Sequence, residues 1–271
     1  MKLVFSNLKK TERFIIQLIL ILFFILWMYP ITQSIIESLK IKGLDNYLAV
    51  LKYPKINYPR VLFNSFFIAI SSSFVVTVIA SLAAYAFSKM KFVFKNVLYY
   101  SLLACLAIPA AAVMTPMFFT AKALHMMNSY RSLILPLVAF NAPFMLMVLK
   151  NYFDSIPDTI LEAASIDGSS TFRTYATIIM PLGLPAIVNV AVLTFIYSWN
   201  DFLIPLLFVR KEQMYTVTLA TQFFTAAKNQ TPEMVAQLYA ALMLMTLPSI
   251  LIYMFSQKYL QAGLTTGAIK G

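Results

Sequence analysis

Residue types that do chemistry are few in this 271-residue chain, and they stand apart. It has one histidine, His125, and one cysteine, Cys105, with no CxxC or Cys/His spacing, so neither a metal set nor an intrachain disulfide is indicated. His125 has no second imidazole or clustered acid nearby and reads as a solvated or interfacial loop residue rather than a ligand or base. No nucleophile constellation is present, and no GxxxxGK[ST] phosphate loop, so the chain is not itself a P-loop ATPase. Two features remain. Asp201, in "SWNDFLIP", is an acid inside an apolar run, which is by default a functional candidate. Either it works near a transport path with Tyr197, Trp199 and Asn200, or Trp199 marks the interface belt and Asn200 and Asp201 hydrogen-bond neighbouring helices. The second feature is "EAASIDGSSTFRTYATIIMPLGLP", residues 162–185, a polar stretch in a chain that is otherwise mostly apolar.

The elements that must position these residues follow from composition. With 61% hydrophobic and 11% charged residues, this is an integral membrane protein. The net charge of +11 comes from lysines and arginines scattered among short loops, which suits anionic lipid head groups and not nucleic acid. A hydrocarbon core of about 30 Å needs roughly 20 apolar helical residues. Six runs qualify: 14–36 with a kink expected at Pro30, 62–88, 97–121, 131–151, 186–209 and 238–257. The basic start before the first run resembles a signal peptide, but the run is too long and lacks a small-residue cleavage pattern, so it is read as the first span. Glu37 falls at its outer end and reads as solvated. The second run, rich in Ser, Ala and Thr, is expected inside the bundle, because small residues let helix backbones approach closely. Prolines in the later spans suit an irregular interior. Aromatics such as Tyr85, Phe140, Phe144 and Phe195 either pack, face lipid or stack on a sugar ring. The Lys and Arg distribution divides almost evenly between the two sides and does not orient the chain.

Residues 154–185 predict two short helices. Ser155 with Asp158 three residues on has the form of a capping box, and Pro157 suits an early helical position. Ile156, Ile160, Leu161 and Ala164 share one face, with Asp158, Glu162 and Ser165 elsewhere on the circumference. Gly168 is the expected C-cap. A second helix is expected from Ser169 or Ser170, with Phe172, Tyr175, Ile178 and Ile179 at helical spacing, until Pro181 and Pro185 stop it. By physics alone this is either a surface hairpin linking two spans or a docking element.

The motif separates the two. Glu-Ala-Ala, then Asp-Gly, then an apolar-Pro pair about a dozen residues on resembles the cytoplasmic loop of permease subunits in ATP-binding-cassette importers. The resemblance extends to "NSFFIAISSSFVVTVIASLAAYAFSKMKF", to "MNSYRSLILPLVAFNAPFMLMVLKNYFDSIP", to "WNDFLIPLLF" and to the tail "QKYLQAGLTTGAIKG", which is similar to the ending of maltose-type second permeases. Ser169 stands where that family usually has alanine, and Met180 where it has leucine.

What the resemblance implies is an all-α polytopic membrane protein with six transmembrane helices. Residues 1–61 would hold the N-terminal tail, first span and first outer loop, 62–257 the five-span core, and 258–271 a cytoplasmic tail. Glu162, Ala163, Ala164, Asp167 and Gly168 would form a coupling helix that docks on a separate ATPase, with Glu162 pairing with a basic residue there. Implied partners are an ATPase dimer that binds the ATP and magnesium, a second and different permease, an extracytoplasmic solute-binding protein, membrane lipids and a carbohydrate, with a di- or oligosaccharide favoured over glycerol phosphate. No cofactor, metal or catalytic residue is expected in this chain. Its place would be the bacterial cytoplasmic membrane, with both termini in the cytoplasm. The rival, a secondary transporter, predicts inverted repeats or several acids within spans, whereas Asp201 stands nearly alone.

Overall fold

The computed structural model describes residues 10–225 and 231–268, with side chains through 257. Lys2 and Lys9, and the side chains of the tail motif after Gln257, lie outside the described residues. Every regular element among the described residues is helical: α1 Lys10–Leu39, α2 Asp45–Leu51, α3 Tyr58–Lys89, α4 Lys95–Ala104, α5 Ala110–Ala123, α6 Tyr130–Asp154 and α7 Asp158–Ile166, then α8 Thr171–Asn200, α9 Leu203–Phe208, α10 Val217–Ala220, α11 Gln222–Thr225 and α12 Pro232–Ala268. They form two compact units, one of α1, α2, α11 and the first part of α12, the other of α3 to α10 with the rest of α12.

In the first unit, α1 passes unbroken through Pro30. Its most apolar 18-residue window is 0% buried within the chain, as a helix facing lipid or another subunit would be. Its end is tied down by polar groups: the Asn46 amide donates to the carbonyls of Ser38 and Lys40, and the Ser38 and Tyr47 hydroxyls share a 2.7 Å hydrogen bond. Glu37, expected to be solvated, pairs with Lys40 at 2.6 Å, and Lys42 pairs with Glu233.

The second unit is built on three long helices, α3, α6 and α8, packed on one another. α3 is an interior helix as its composition requires. Ala69, Ser72, Val76, Ala80 and Ala84, at three- and four-residue intervals, are all buried. Gly183 of α8 serves the same close approach, since a Cβ there would sit 2.5 Å from the Phe153 ring of α6. One apolar cluster joins Val76, Ala80, Ala84, Met145, Leu149, Phe153, Ile179 and Val190; a second, around Ile68, Leu133, Leu137, Ile204 and Phe208, lies toward the other end of α3 and α6, where α9 packs on them.

The structure corrects several sequence-based boundaries. The third run is not one straight helix: Lys95–Ala107 and Ala110–Ala123 meet at 99°. Proline disfavours helical geometry in the residue before it, and Ile108 is accordingly extended (φ −82°, ψ 118°) ahead of Pro109. The bent pair nevertheless links opposite ends of the core. Ser88, near the end of α3, touches Asp154, the last residue of α6, while Asn64 near the start of α3 touches Tyr130, the first residue of α6. α3 and α6 thus run the same way, and residues 90–129 between them must travel from one end to the other. With this pair counted as one span, the described residues hold six helical segments long and apolar enough to cross a membrane.

The fifth run is also displaced. Pro181 and Pro185 do not end the helix that begins at Thr171; it continues to Asn200 and breaks at Asp201 instead of reaching 209. A π-helical turn, Tyr175–Ile179, precedes Pro181. Such a wide turn makes room where a proline ring would collide with the carbonyl four residues back, so the helix passes through.

Candidate functional site

The polar loop lies where α6, α7 and α8 meet the last turns of α3. α7 is the first of the two predicted short helices, and its C-terminus has the expected form. Gly168 adopts φ +72°, the Gly168 N–H bonds to the Ser165 carbonyl at 3.1 Å, and the Ser169 N–H bonds to the Ala164 carbonyl at 2.9 Å. This is a Schellman closure, for which glycine is suited because it meets no Cβ penalty at positive φ. Ser170 then caps α8, its hydroxyl accepting from the Arg173 N–H at 3.4 Å.

The N-terminus of α7 differs from expectation. Pro157, not Ser155, is the cap residue, and no side chain caps the helix. The Ser155 hydroxyl instead donates to the Tyr152 carbonyl at 2.6 Å, closing the end of α6. The capping box therefore does not form, and Asp158 is free to face another partner. That partner is Lys89 of α3, whose ammonium donates to Asp158 Oδ1 at 2.7 Å and to the Ile156 carbonyl at 2.6 Å. The Lys89 side chain is only 6% exposed. Beside it, Asp154 accepts from the Ser88 hydroxyl and from the Lys150 ammonium, each at 2.7 Å. On the α8 side, the Tyr85 hydroxyl donates to the Thr171 carbonyl at 3.3 Å, and the Ser81 and Tyr175 hydroxyls lie 2.8 Å apart.

α7 thus has a held face and a bare face. Ile156 and Ala164 are buried and Leu161 packs on the core. Ile160 was expected on that face but is turned outward, 37% exposed. Glu162, Ala163, Ser165 and Asp167 are exposed, and with them stand two large apolar side chains, Ile166 at 87% and Phe172 at 71% exposure. The loop therefore presents an acid and two bare apolar groups on a rigidly capped support. Of the five motif residues, four face outward, and Ala164 alone faces in. Ile166 and Phe172 were not singled out for the outer face by sequence; the signal was an isoleucine inside the motif itself, one residue before Asp167.

The residues around Asp201 lie at the other end of α8 and are separate from the loop. Trp199 is buried, its indole N–H donating to the Met245 carbonyl at 2.9 Å and its ring 4.6 Å from Phe66 and 5.8 Å from Phe195. Asp201 is a structural cap: its carboxylate accepts from the Ile204 N–H at 3.1 Å where α9 starts, and its carbonyl accepts from the Thr218 hydroxyl at 2.7 Å. The Asn200 amide bonds back to Ile196 O, and its side chain, like that of Tyr197, is exposed.

At this same end a polar seam that sequence did not reveal holds the segment after α9. The buried Asn64 amide donates to the carbonyls of Gln213 (2.9 Å) and Tyr215 (3.0 Å) while its oxygen accepts from the Tyr130 hydroxyl (2.7 Å). Ser65 accepts from the Val217 N–H at 2.8 Å, and Asn128 Oδ1 accepts from the N–H groups of Arg210 and Lys211. His125 sits in a turn with φ +53°, and among the described residues no three His, Cys, Asp or Glu side chains come together as a metal site.

In sequence and in fold the chain is similar to known proteins. Residues 76–266 match the family model described as binding-protein-dependent transport system inner membrane component. The trehalose/maltose transport system permease protein MalG of Thermococcus litoralis is 35% identical over 84% of this chain and 81% of its own length. The trehalose transport system permease protein SugB of Mycobacterium tuberculosis is 28% identical over 91% and 92%, and the arabinooligosaccharides transport system permease protein AraQ of Bacillus subtilis is 28% identical over 86% and 80%. In fold, the chain is similar to a chain of a bacterial ABC transporter involved in the import of the acidic polysaccharide alginate, with a TM-score of 0.78 at 19% identity over 94% and 99% of the two chains. The chain belongs to the family of inner membrane components of binding-protein-dependent transport systems.

Proposed function

We propose that this chain is the membrane-spanning permease subunit of an ATP-driven carbohydrate importer, with a di- or oligosaccharide as its solute. The substrate class rests on the sugars named for its relatives. The observation that carries the mechanism is the two-faced loop: α7 is anchored to the bundle through Lys89 and the Schellman turn, while Glu162, Ala163, Ile166 and Phe172 are bare. An amphipathic support with an exposed acid and apolar knobs suits docking in a cleft of a second protein. That protein is a separate ATPase, which binds the ATP and magnesium.

ATP-driven closure of the ATPase pair draws two such loops together, and the spans attached to them reorient the cavity; hydrolysis resets it. No bond is made or broken by this chain. The other loop comes from a second, different permease, and an extracytoplasmic binding protein delivers the sugar. The loop and both termini face the cytoplasm. Among Tyr197, Trp199, Asn200 and Asp201, the side chains of Tyr197 and Asn200 are exposed and available to a passing solute, while those of Trp199 and Asp201 hydrogen-bond at the helix end.

Charge reversal tests the docking face. Glu162→Lys is expected to abolish uptake and weaken ATPase attachment while the protein still inserts normally. Undiminished uptake and attachment would remove Glu162 from the interface.

A further inference from the structure

Ser81, Tyr85 and Ser88 follow one another along α3 at four- and three-residue steps, Lys89 comes directly after Ser88, and all four side chains hold the loop. Ser81 and Tyr85 hold the start of α8; Ser88 holds the end of α6; Lys89 holds the start of α7. The motif that would dock on the ATPase is thus fastened to the second span by side chains and not by chain connectivity alone. Among them Lys89 is distinctive. Its ammonium is nearly enclosed and bridges two acceptors, the Ile156 carbonyl in the short α6–α7 link and the carboxylate in the first turn of α7. A carboxylate in the first turn also opposes the positive end of the helix dipole favourably, so Lys89 meets the helix at the point where an acid is best tolerated.

We propose that Lys89 is a positioning residue for energy coupling: it makes the inner end of α3 follow α7, so that displacement of the docked loop becomes reorientation of the second span. The inference rests on the importer reading above. An ordinary structural anchor and a coupling strut differ in what their loss does. Without the strut, α7 remains built and bare, because the Schellman turn, the burial of the Ala164 side chain, and the Asp154 hydrogen bonds with Ser88 and Lys150 do not involve Lys89. The ATPase would still dock and hydrolyse, but its motion would no longer reach α3.

The test is the ratio of sugar imported to ATP hydrolysed, measured on the whole complex in proteoliposomes with its binding protein. Lys89→Met is expected to leave ATPase attachment and hydrolysis near wild type and to lower the ratio by about tenfold, within the range by which coupling residues act. Lys89→Arg, which keeps a donor with two-acceptor reach, is expected to restore most of the ratio. Asp158→Asn, at a largely exposed position where folding is not at stake, keeps the carbonyl contact and is expected to lower the ratio by about twofold. Import and hydrolysis falling in parallel, or an unchanged ratio in Lys89→Met and Asp158→Asn, would overturn the coupling role and leave the docking reading intact. A wild-type chain that binds no ATPase would overturn both.

Discussion

Individual side chains in this protein fall into those that hold a shape and those left bare. Asp201 is the sharpest lesson. An acid in an apolar run left two readings open, a place near a transport path or hydrogen bonds to neighbouring helices; in the structure its carboxylate accepts the Ile204 N–H at the start of α9. Sequence shows that an acid is present, but not which orphan helical N–H it meets, because that depends on where α8 breaks. Asn64 shows the converse. Nothing in "VLFNSFF" marks it, because its two carbonyl partners lie some 150 positions away in the chain. A buried carbonyl left without a donor costs about 1–3 kcal/mol. Asn64→Leu, similar in size but unable to bond, is therefore expected to destabilise by at least about 2 kcal/mol and to expose residues 209–217 to limited proteolysis. ATPase attachment, proposed for the loop at the other end of the core, should be unaffected. A loop equally resistant in variant and wild type would show that Asn64 does not fasten it.

Among elements, what was legible depended on whether the signal was local. The Schellman end of α7 and the Ser170 start of α8 were both readable, because Gly at positive φ and Ser before a helix act within a few residues. The interior placement of α3 was readable from its small residues. The missed features involve competition between neighbours: Ser155 serves the end of α6 in place of a capping box, Pro109 bends the third span by 99°, and Pro181 is bypassed by a π turn. One further contact between elements was hidden, that of Gly183 with Phe153. A Cβ at 183 would lie 2.5 Å from a fully buried ring, so the ring or the helix must move. Gly183→Ala is expected to destabilise the α6–α8 packing by about 1–3 kcal/mol, read as a lower thermal midpoint of the purified complex. Phe153→Leu, which removes the colliding atoms, should recover part of that loss when combined with it. Additive effects of the two substitutions would contradict the contact.

Taken whole, the molecule separates its tasks along the helices. One end of the α3–α6–α8 core carries the capped loop with Glu162, Ile166 and Phe172 bare, and the other carries the polar seam of Asn64, Ser65 and Asn128 with the Asp201 cap. Long helices packed by small residues join the two. The all-helical, six-span architecture was evident from the runs of apolar residues, and the family from the loop motif; the bend and the side-chain fastenings required coordinates. Everything proposed for this molecule depends on the bare loop face docking on a separate ATPase within a sugar importer. The most direct test of that docking is gentle detergent extraction of the tagged chain from its native membrane and identification of the proteins that co-purify. A P-loop ATPase and a second permease are expected in stoichiometric amounts, with the ATPase depleted by Glu162→Lys. Repeated recovery of this chain alone, active in transport as a homo-oligomer without an ATPase, would contradict the docking.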